Sequence, residues 1–272
     1  MLLFRALGTL QLPETSPWSY WATYFLGAFI NIALGTLVME RLFRRDARAG
    51  VIGGISSSFS NTVMVGIPIL TQAFGDEGLM IGFVLVGLHL PMMMAISAIL
   101  IEVGELRDGT RTGRLNLPRV FARVGRNLFR SPLVIGMLAG LAFRFTGLPL
   151  DGVPREVIDS IADLAIPLAL MSLGMSLRGY GISGNIRPAL ILSALKLFVM
   201  PAIIYVLAVH VFTLPPLAAA GAVVFAACPT GVNAYLIAGT FQTGLALAAN
   251  TITLTTVLAM VSFVFWLWVL GI

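Results

Sequence analysis

Two asparagines, Asn61 and Asn233, each stand close to a glycine and a proline inside a long apolar run. In the first run, Ser57 to Gly75 (SSFSNTVMVGIPILTQAFG), the polar residues Ser57, Ser58, Ser60, Asn61 and Thr62 precede Gly66 and Pro68. In the second, Ala226 to Thr243 (AACPTGVNAYLIAGTFQT), Pro229, Thr230 and Gly231 precede Asn233. Proline has no amide hydrogen and clashes with the preceding turn, and glycine costs roughly 1 kcal/mol against alanine in a helix interior. Both runs therefore read as helices that break. A break leaves the first N–H groups of the following half-helix unpaired at its positive dipole end, which is a place for an anion. An asparagine there adds an amide donor and a carbonyl acceptor. This chemistry can recognise a carboxylate without a buried cation, with Ser60, Thr62 and Thr230 adding hydroxyls. Each side chain also has a plainer reading, in which the asparagines cap their own half-helices and the hydroxyls bond back to helix carbonyls. Gly66, Pro68, Pro229 and Gly231 shape the backbone in either reading.

The elements that hold these breaks are set by composition. With 58% hydrophobic and 11% charged residues and a mean hydropathy of +0.96, a soluble domain of this length is excluded. In hydrocarbon an unpaired backbone group costs several kcal/mol, so a break survives only inside protein or against a wet cavity. Paired Gly/Pro-interrupted segments in corresponding places of two halves point to the midplane site of a secondary transporter. The halves are 1–105 and 131–272, joined by a basic loop over 106–130. The net charge of +5 comes from arginines between apolar spans, which are topology signals rather than a nucleic-acid surface. Arg41, Arg44, Arg45 and Arg48 form one cluster, and Arg107, Arg111, Arg114, Arg119, Arg123, Arg126 and Arg130 another, with Arg178 and Arg187 following. They fall in alternate loops, so those loops are expected in the cytoplasm.

Nine spans or part-spans follow. Met1 to Gln11 is too short to cross, since crossing takes about 20 residues. Trp18 to Leu42 crosses with an aromatic belt, Ala49 to Phe74 is the first broken helix, and Gly78 to Ile101 returns. Ser131 to Phe145, Ile161 to Leu177 (made irregular by Pro167, Ser172 and Gly174) and Ala189 to Phe212 come next. Leu217 to Thr240 is the second broken helix, and Leu245 to Ile272 is the last.

Charged and titratable groups inside the spans are few. Lys196 is the only lysine, and an intramembrane cation costs roughly 2.5 to 3.5 kcal/mol on insertion scales. It attracts the anion, pairs with Asp163, or snorkels to the interface. Asp163 is the acid best placed for proton coupling, or else an exposed interfacial residue. His89, just before Pro91, either titrates near neutral pH or is a packed, hydrogen-bonded group. Glu102 and Glu105 read as interface charges. Asn31, Asn250 and the threonines at 251, 253, 255 and 256 line a pore or bond neighbouring helices. The single cysteine, Cys228, allows no internal disulfide and no multi-cysteine metal site. There is no GxxxxGK[ST], HExxH or GxSxG and no paired acidic motif, so neither ATP drive nor a catalytic residue, metal or cofactor is expected.

The run Asn61-Thr62-Val63-Met64-Val65-Gly66-Ile67-Pro68, followed by Phe74-Gly75, resembles the fourth-helix signature of the auxin efflux carrier family. Pro229, Gly231 and Asn233-Ala234 resemble its ninth helix, and the similarity extends over essentially the whole chain. The resemblance implies ten helices in two inverted five-helix repeats, with two broken helices crossing at the substrate site. It also implies small organic anions as substrates, such as auxin in plants and malate or malonate in bacteria. The short central loop is similar to that of bacterial inner-membrane members. One departure is that Met1 to Leu7 resembles the middle of the family's second helix, so the first helix is expected to be missing. Either the start codon is misassigned or the chain is a shortened member, and a shortened member is expected to be less stable or to pair as a homodimer. The expectation is an all-α polytopic membrane protein, a secondary transporter of mono- or dicarboxylates, with H+ or Na+ as a coupling ion. The competing readings are a cation-coupled symporter or antiporter using the Ser, Thr and Asn oxygens, and a non-transporting receptor.

Overall fold

The computed structural model describes residues 4, 17–110, 118, 121–122, 125–126, 129, 132–146, 150–164, 167–168, 171, 175 and 186–272. Helix α1 (Trp18–Leu37) continues through a π turn, Val38–Leu42, and α2 spans Ala47–Ser56. After the first break, a π turn (Thr62–Gly66) leads into α3, Ile67–Arg107. Helices α4 (Pro132–Phe145) and α5 (Gly152–Asp163) follow. One long stretch is then built from α6 (Ile186–Ala194), a π turn (Leu195–Val199), α7 (Met200–Val206) and a π turn (Leu207–Val211). Helix α8 (Pro216–Ala227) ends at the second break, α9 (Asn233–Thr240) follows it, and α10 is Leu245–Leu270. Among the described residues, four stretches are long and apolar enough to cross a membrane: Trp18–Leu42, Thr62–Arg107, Ile186–Val211 and Leu245–Leu270.

The second of these stretches folds back on itself. Gly75 has φ 58° and ψ −141°, a region open essentially to glycine alone. A Cβ on Gly82 would lie 2.7 Å from Ile67 Cδ1, whereas an unbent helix would hold those residues roughly 22 Å apart at 1.5 Å per residue. Helix α3 is thus a half-helix up to Phe74 and a long return from Asp76. Gly244, with φ 63°, turns the chain between α9 and α10 in the corresponding place.

Pro229 lies in the second break as expected, but Pro68 does not break its helix. Pro68 lies in the first turn of α3, two residues past a π turn in which the Ile67 N–H reaches Thr62 O. The wider turn absorbs the bond that proline cannot make. The first break is instead Ser57 to Asn61. Pro201 also sits two residues past a π turn. The carbonyl it would have bonded, Leu197 O, accepts from Ser262 Oγ at 2.8 Å and Trp266 Nε1 at 2.9 Å.

At the arginine-rich end, α2 is capped twice. Asp46 Oδ1 accepts from Ala49 N at 2.7 Å, and Asp108 accepts from Ala47 N at 2.8 Å and Arg48 N at 2.9 Å. Arg107 pairs bidentately with Glu40 at 2.8 Å, with an exposed guanidinium. Asp108→Ala is expected to cost about 1 to 2 kcal/mol because it strips a cap, and Arg107→Ala less than about 1 kcal/mol because the pair is solvated. Thermal unfolding in detergent reads the order. Equal shifts would contradict this account of the end.

The readings made for Met1 to Leu7, Phe4 apart, and for Arg111, Arg114, Arg119, Arg123, Arg130, Ser172, Gly174 and Arg178 lie outside the described residues.

Candidate functional site

Helix α2 ends at Ser56 and α8 at Ala227, and the two breaks that follow pair with each other. Ser60 and Thr230 form an antiparallel bridge. Asn61 N donates to Pro229 O at 2.8 Å, and Gly231 N donates to Phe59 O at 2.7 Å. Each break therefore satisfies backbone groups of the other, which is how irregular backbone survives inside an apolar bundle. The approach is close because two residues lack side chains. A Cβ on Gly231 would stand 3.2 Å from Ser60 O, and one on Gly66 would overlap the ring of Phe225 and lie 3.0 Å from Cys228 Sγ.

Neighbouring helices fasten the crossing. From α1, Tyr24 Oη donates to Ser60 Oγ at 2.9 Å, and Asn31 Nδ2 donates to Ser57 O at 2.6 Å and Ser58 Oγ at 3.1 Å. Thr230 Oγ1 donates to Ser56 O at 2.6 Å, and Thr230 N donates to Thr255 Oγ1 at 3.0 Å. Lys196 donates to Ala226 O, one of the last carbonyls of α8, which have no partner inside their own helix. The lysine is wholly buried, so it does not snorkel, while Asp163 stands exposed at the end of α5.

A cavity of about 330 Å³ opens beside the crossing. One wall is Phe59 to Met64 with Gly231 to Asn233, another is Val86, Gly87, His89, Leu90 and Pro91 on α3, and Val134 and Leu138 of α4 complete it. No Lys, Arg, Asp or Glu is among these lining residues. Ser60, Asn61, Thr62 and Asn233 come together here as expected from the sequence. Thr230, Lys196 and Asp163 are not at the cavity. Thr230 and Lys196 hold the crossing from behind.

The two asparagines differ. Asn61 Oδ1 accepts from Met64 N at 3.3 Å and so caps its half-helix, but its Nδ2 is buried with no hydrogen-bond partner. Asn233 is the first residue of α9, half-buried, and the helix has no side-chain cap. The capping reading thus holds for one oxygen of Asn61 and not for Asn233. His89 is the polar group that sequence reasoning left undecided. It is buried, its Nε2 has no partner, and its ring meets Tyr24 and Phe59 edge-on at centroid distances of 5.5 and 5.3 Å. Its place two residues before Pro91 was the available signal.

The sequence profile of the family described as membrane transport protein matches residues 1–267. The chain belongs to this family. It is the auxin efflux carrier family, a family of transporters and not of enzymes. An uncharacterized transporter of Methanothermobacter thermautotrophicus is 25% identical over 242 residues, covering 85% of this chain and 72% of that protein. An uncharacterized transporter of Methanocaldococcus jannaschii is 23% identical over 247 residues, covering 89% and 75%. Together with the apolar helices, membership makes this an integral membrane transporter.

Proposed function

We propose that this membrane transport protein is a secondary transporter of small organic anions, mono- or dicarboxylates, working by alternating access. The observation that carries the reading is the pairing of the two breaks, which sets Asn61 and Asn233 at the starts of two half-helices on one cavity wall. A carboxylate there meets unpaired N–H groups, two positive dipole ends and the free Nδ2 of Asn61. The apolar remainder of the cavity holds the body of the substrate. In this reading 1–105 and 131–272 are inverted repeats of an architecture of about ten helices, nine or part-nine of them in this chain. The order of break, half-helix, glycine turn and long return helix, seen at 57–107 and again at 228–270, supports it. By the positive-inside rule the arginine-rich ends face the cytoplasm, and a bacterial inner membrane is the expected location.

Uptake of labelled malonate, malate and an indole carboxylate into proteoliposomes tests this, with imposed proton, sodium or voltage gradients. Saturable uptake of at least one is expected, with the rate lowered about tenfold or more by Asn61→Ala and by Asn233→Ala, the equivalent of losing about 1.4 kcal/mol of binding. The effective gradient names the coupling ion. Uptake untouched by either substitution in folded protein would remove the site from the crossing.

A further inference from the structure

The cavity has a second polar wall. Pro91 lies inside α3 with regular helix on both sides and no π turn before it. It has no N–H to return to the carbonyl four residues earlier, which belongs to Gly87. Gly87, His89 and Pro91 all line the cavity. Pro201 shows what the fold does when such a carbonyl is internal. Leu197 O is taken by two side-chain donors, Ser262 Oγ and Trp266 Nε1. The carbonyl of Gly87 has lost its helical donor, and Gly87 itself lies in the cavity wall. Beside it, His89 is 2% exposed, with Nε2 unpartnered. A buried polar atom without a partner is costly to the fold. The wall thus carries one buried side-chain nitrogen without a partner and one carbonyl without its helical donor.

We propose that His89 and the Gly87 carbonyl form a hydrogen-bond-accepting wall, which selects among carboxylates those that also carry a hydroxyl or N–H donor. This rests on the carboxylate reading of the crossing. A neutral imidazole offers one acceptor nitrogen and a backbone carbonyl two lone pairs, so the wall accepts where the break wall donates. The substrate then bridges them, its carboxylate at Asn61 and Asn233 and its donor at α3. Pro91 is a positioning residue that acts through Gly87. An analogue lacking the donor leaves the wall unpaired, and sites built around a substrate hydroxyl discriminate strongly against such analogues.

The test is equilibrium binding of two matched pairs, malate against succinate and lactate against propionate, to purified protein. Wild type is compared with His89→Phe, His89→Gln, Pro91→Ala and Asn61→Ala, each first shown to be folded by thermal unfolding. In wild type the hydroxylated member of a pair is expected to bind about tenfold or more tightly, which corresponds to about 1.4 kcal/mol. His89→Phe, which removes the acceptor, and Pro91→Ala, which returns an N–H to Gly87, should each cut that ratio to below about threefold, equivalent to under about 0.7 kcal/mol. His89→Gln, which keeps an acceptor, should restore part of it. Equal affinities within both pairs in wild type, or a ratio unchanged in both His89→Phe and Pro91→Ala, would overturn the proposal. If Asn61→Ala then still weakened both members alike, the carboxylate reading would stand without it. Failure of folded wild type to bind any of the four acids would overturn both.

Discussion

Gly66→Ala is expected to destabilise the protein by about 2 to 3 kcal/mol, because it forces a methyl group into a filled core. The added carbon would fall on Cδ1 and Cε1 of Phe225 and 3.0 Å from Cys228 Sγ. Phe225 is wholly buried. Gly66 lies on the half-helix that follows Asn61, and Phe225 lies on α8 just before the second break, so the clash pushes apart the two segments whose backbones pair. Uptake should therefore fall together with the thermal midpoint. Phe225→Ala alone leaves a cavity and is also destabilising, but the double variant should be less damaged than the sum by at least about 1 kcal/mol, since the two sites are in contact. A Gly66→Ala protein that melts and transports like wild type would contradict the close approach of the two breaks.

Gly75→Ala and Gly239→Ala should have opposite signs, although a Cβ at either position would meet nothing within 4 Å. Gly75 has φ 58° and ψ −141°, which costs an alanine about 1 to 3 kcal/mol through backbone strain alone. Gly239 lies inside α9 with no positive φ, where alanine is favoured by about 0.5 to 1 kcal/mol. Gly75 also sets the direction in which α3 returns, and α3 carries Gly87, His89 and Pro91. Loss of stability at 75 should accordingly come with weaker substrate binding, and the gain at 239 should not. Thermal midpoints of the two variants, measured side by side, decide the matter. Equal shifts would mean that the fold-back at Gly75 is not the strained turn described.

The breaks themselves were legible because glycine, proline and small polar residues stand out sharply against an apolar background. Their pairing was not, since a bridge between Ser60 and Thr230 is a tertiary fact that leaves no local pattern. The family resemblance implied a crossing, and the backbone bonds supply its geometry. Pro68 was misread for a related reason. Local rules assign a proline a broken bond, but the preceding π turn absorbs it and moves the break to Ser57–Asn61. Lys196 could not be resolved from depth alone, because snorkelling and burial begin from the same position in a span. Its carbonyl partner at Ala226 is thirty residues away. His89 was undervalued because a lone helix histidine is ordinarily satisfied by its neighbours, whereas here its ring meets those of Tyr24 and Phe59 and its Nε2 has no partner.

The central claim is that the amide of Asn61, and not only its capping oxygen, meets the anion. Asn61→Asp tests it most directly. Aspartate caps a helix as well as asparagine does, so the bond from Met64 N and the fold are kept, while the donor is replaced by a negative charge facing the carboxylate. Equilibrium binding of the transported anion to this variant, with thermal unfolding as the control, should find a folded protein whose affinity has fallen about a hundredfold or more, about 2.7 kcal/mol. A folded Asn61→Asp protein that binds the anion as tightly as wild type would show that the carboxylate is recognised elsewhere.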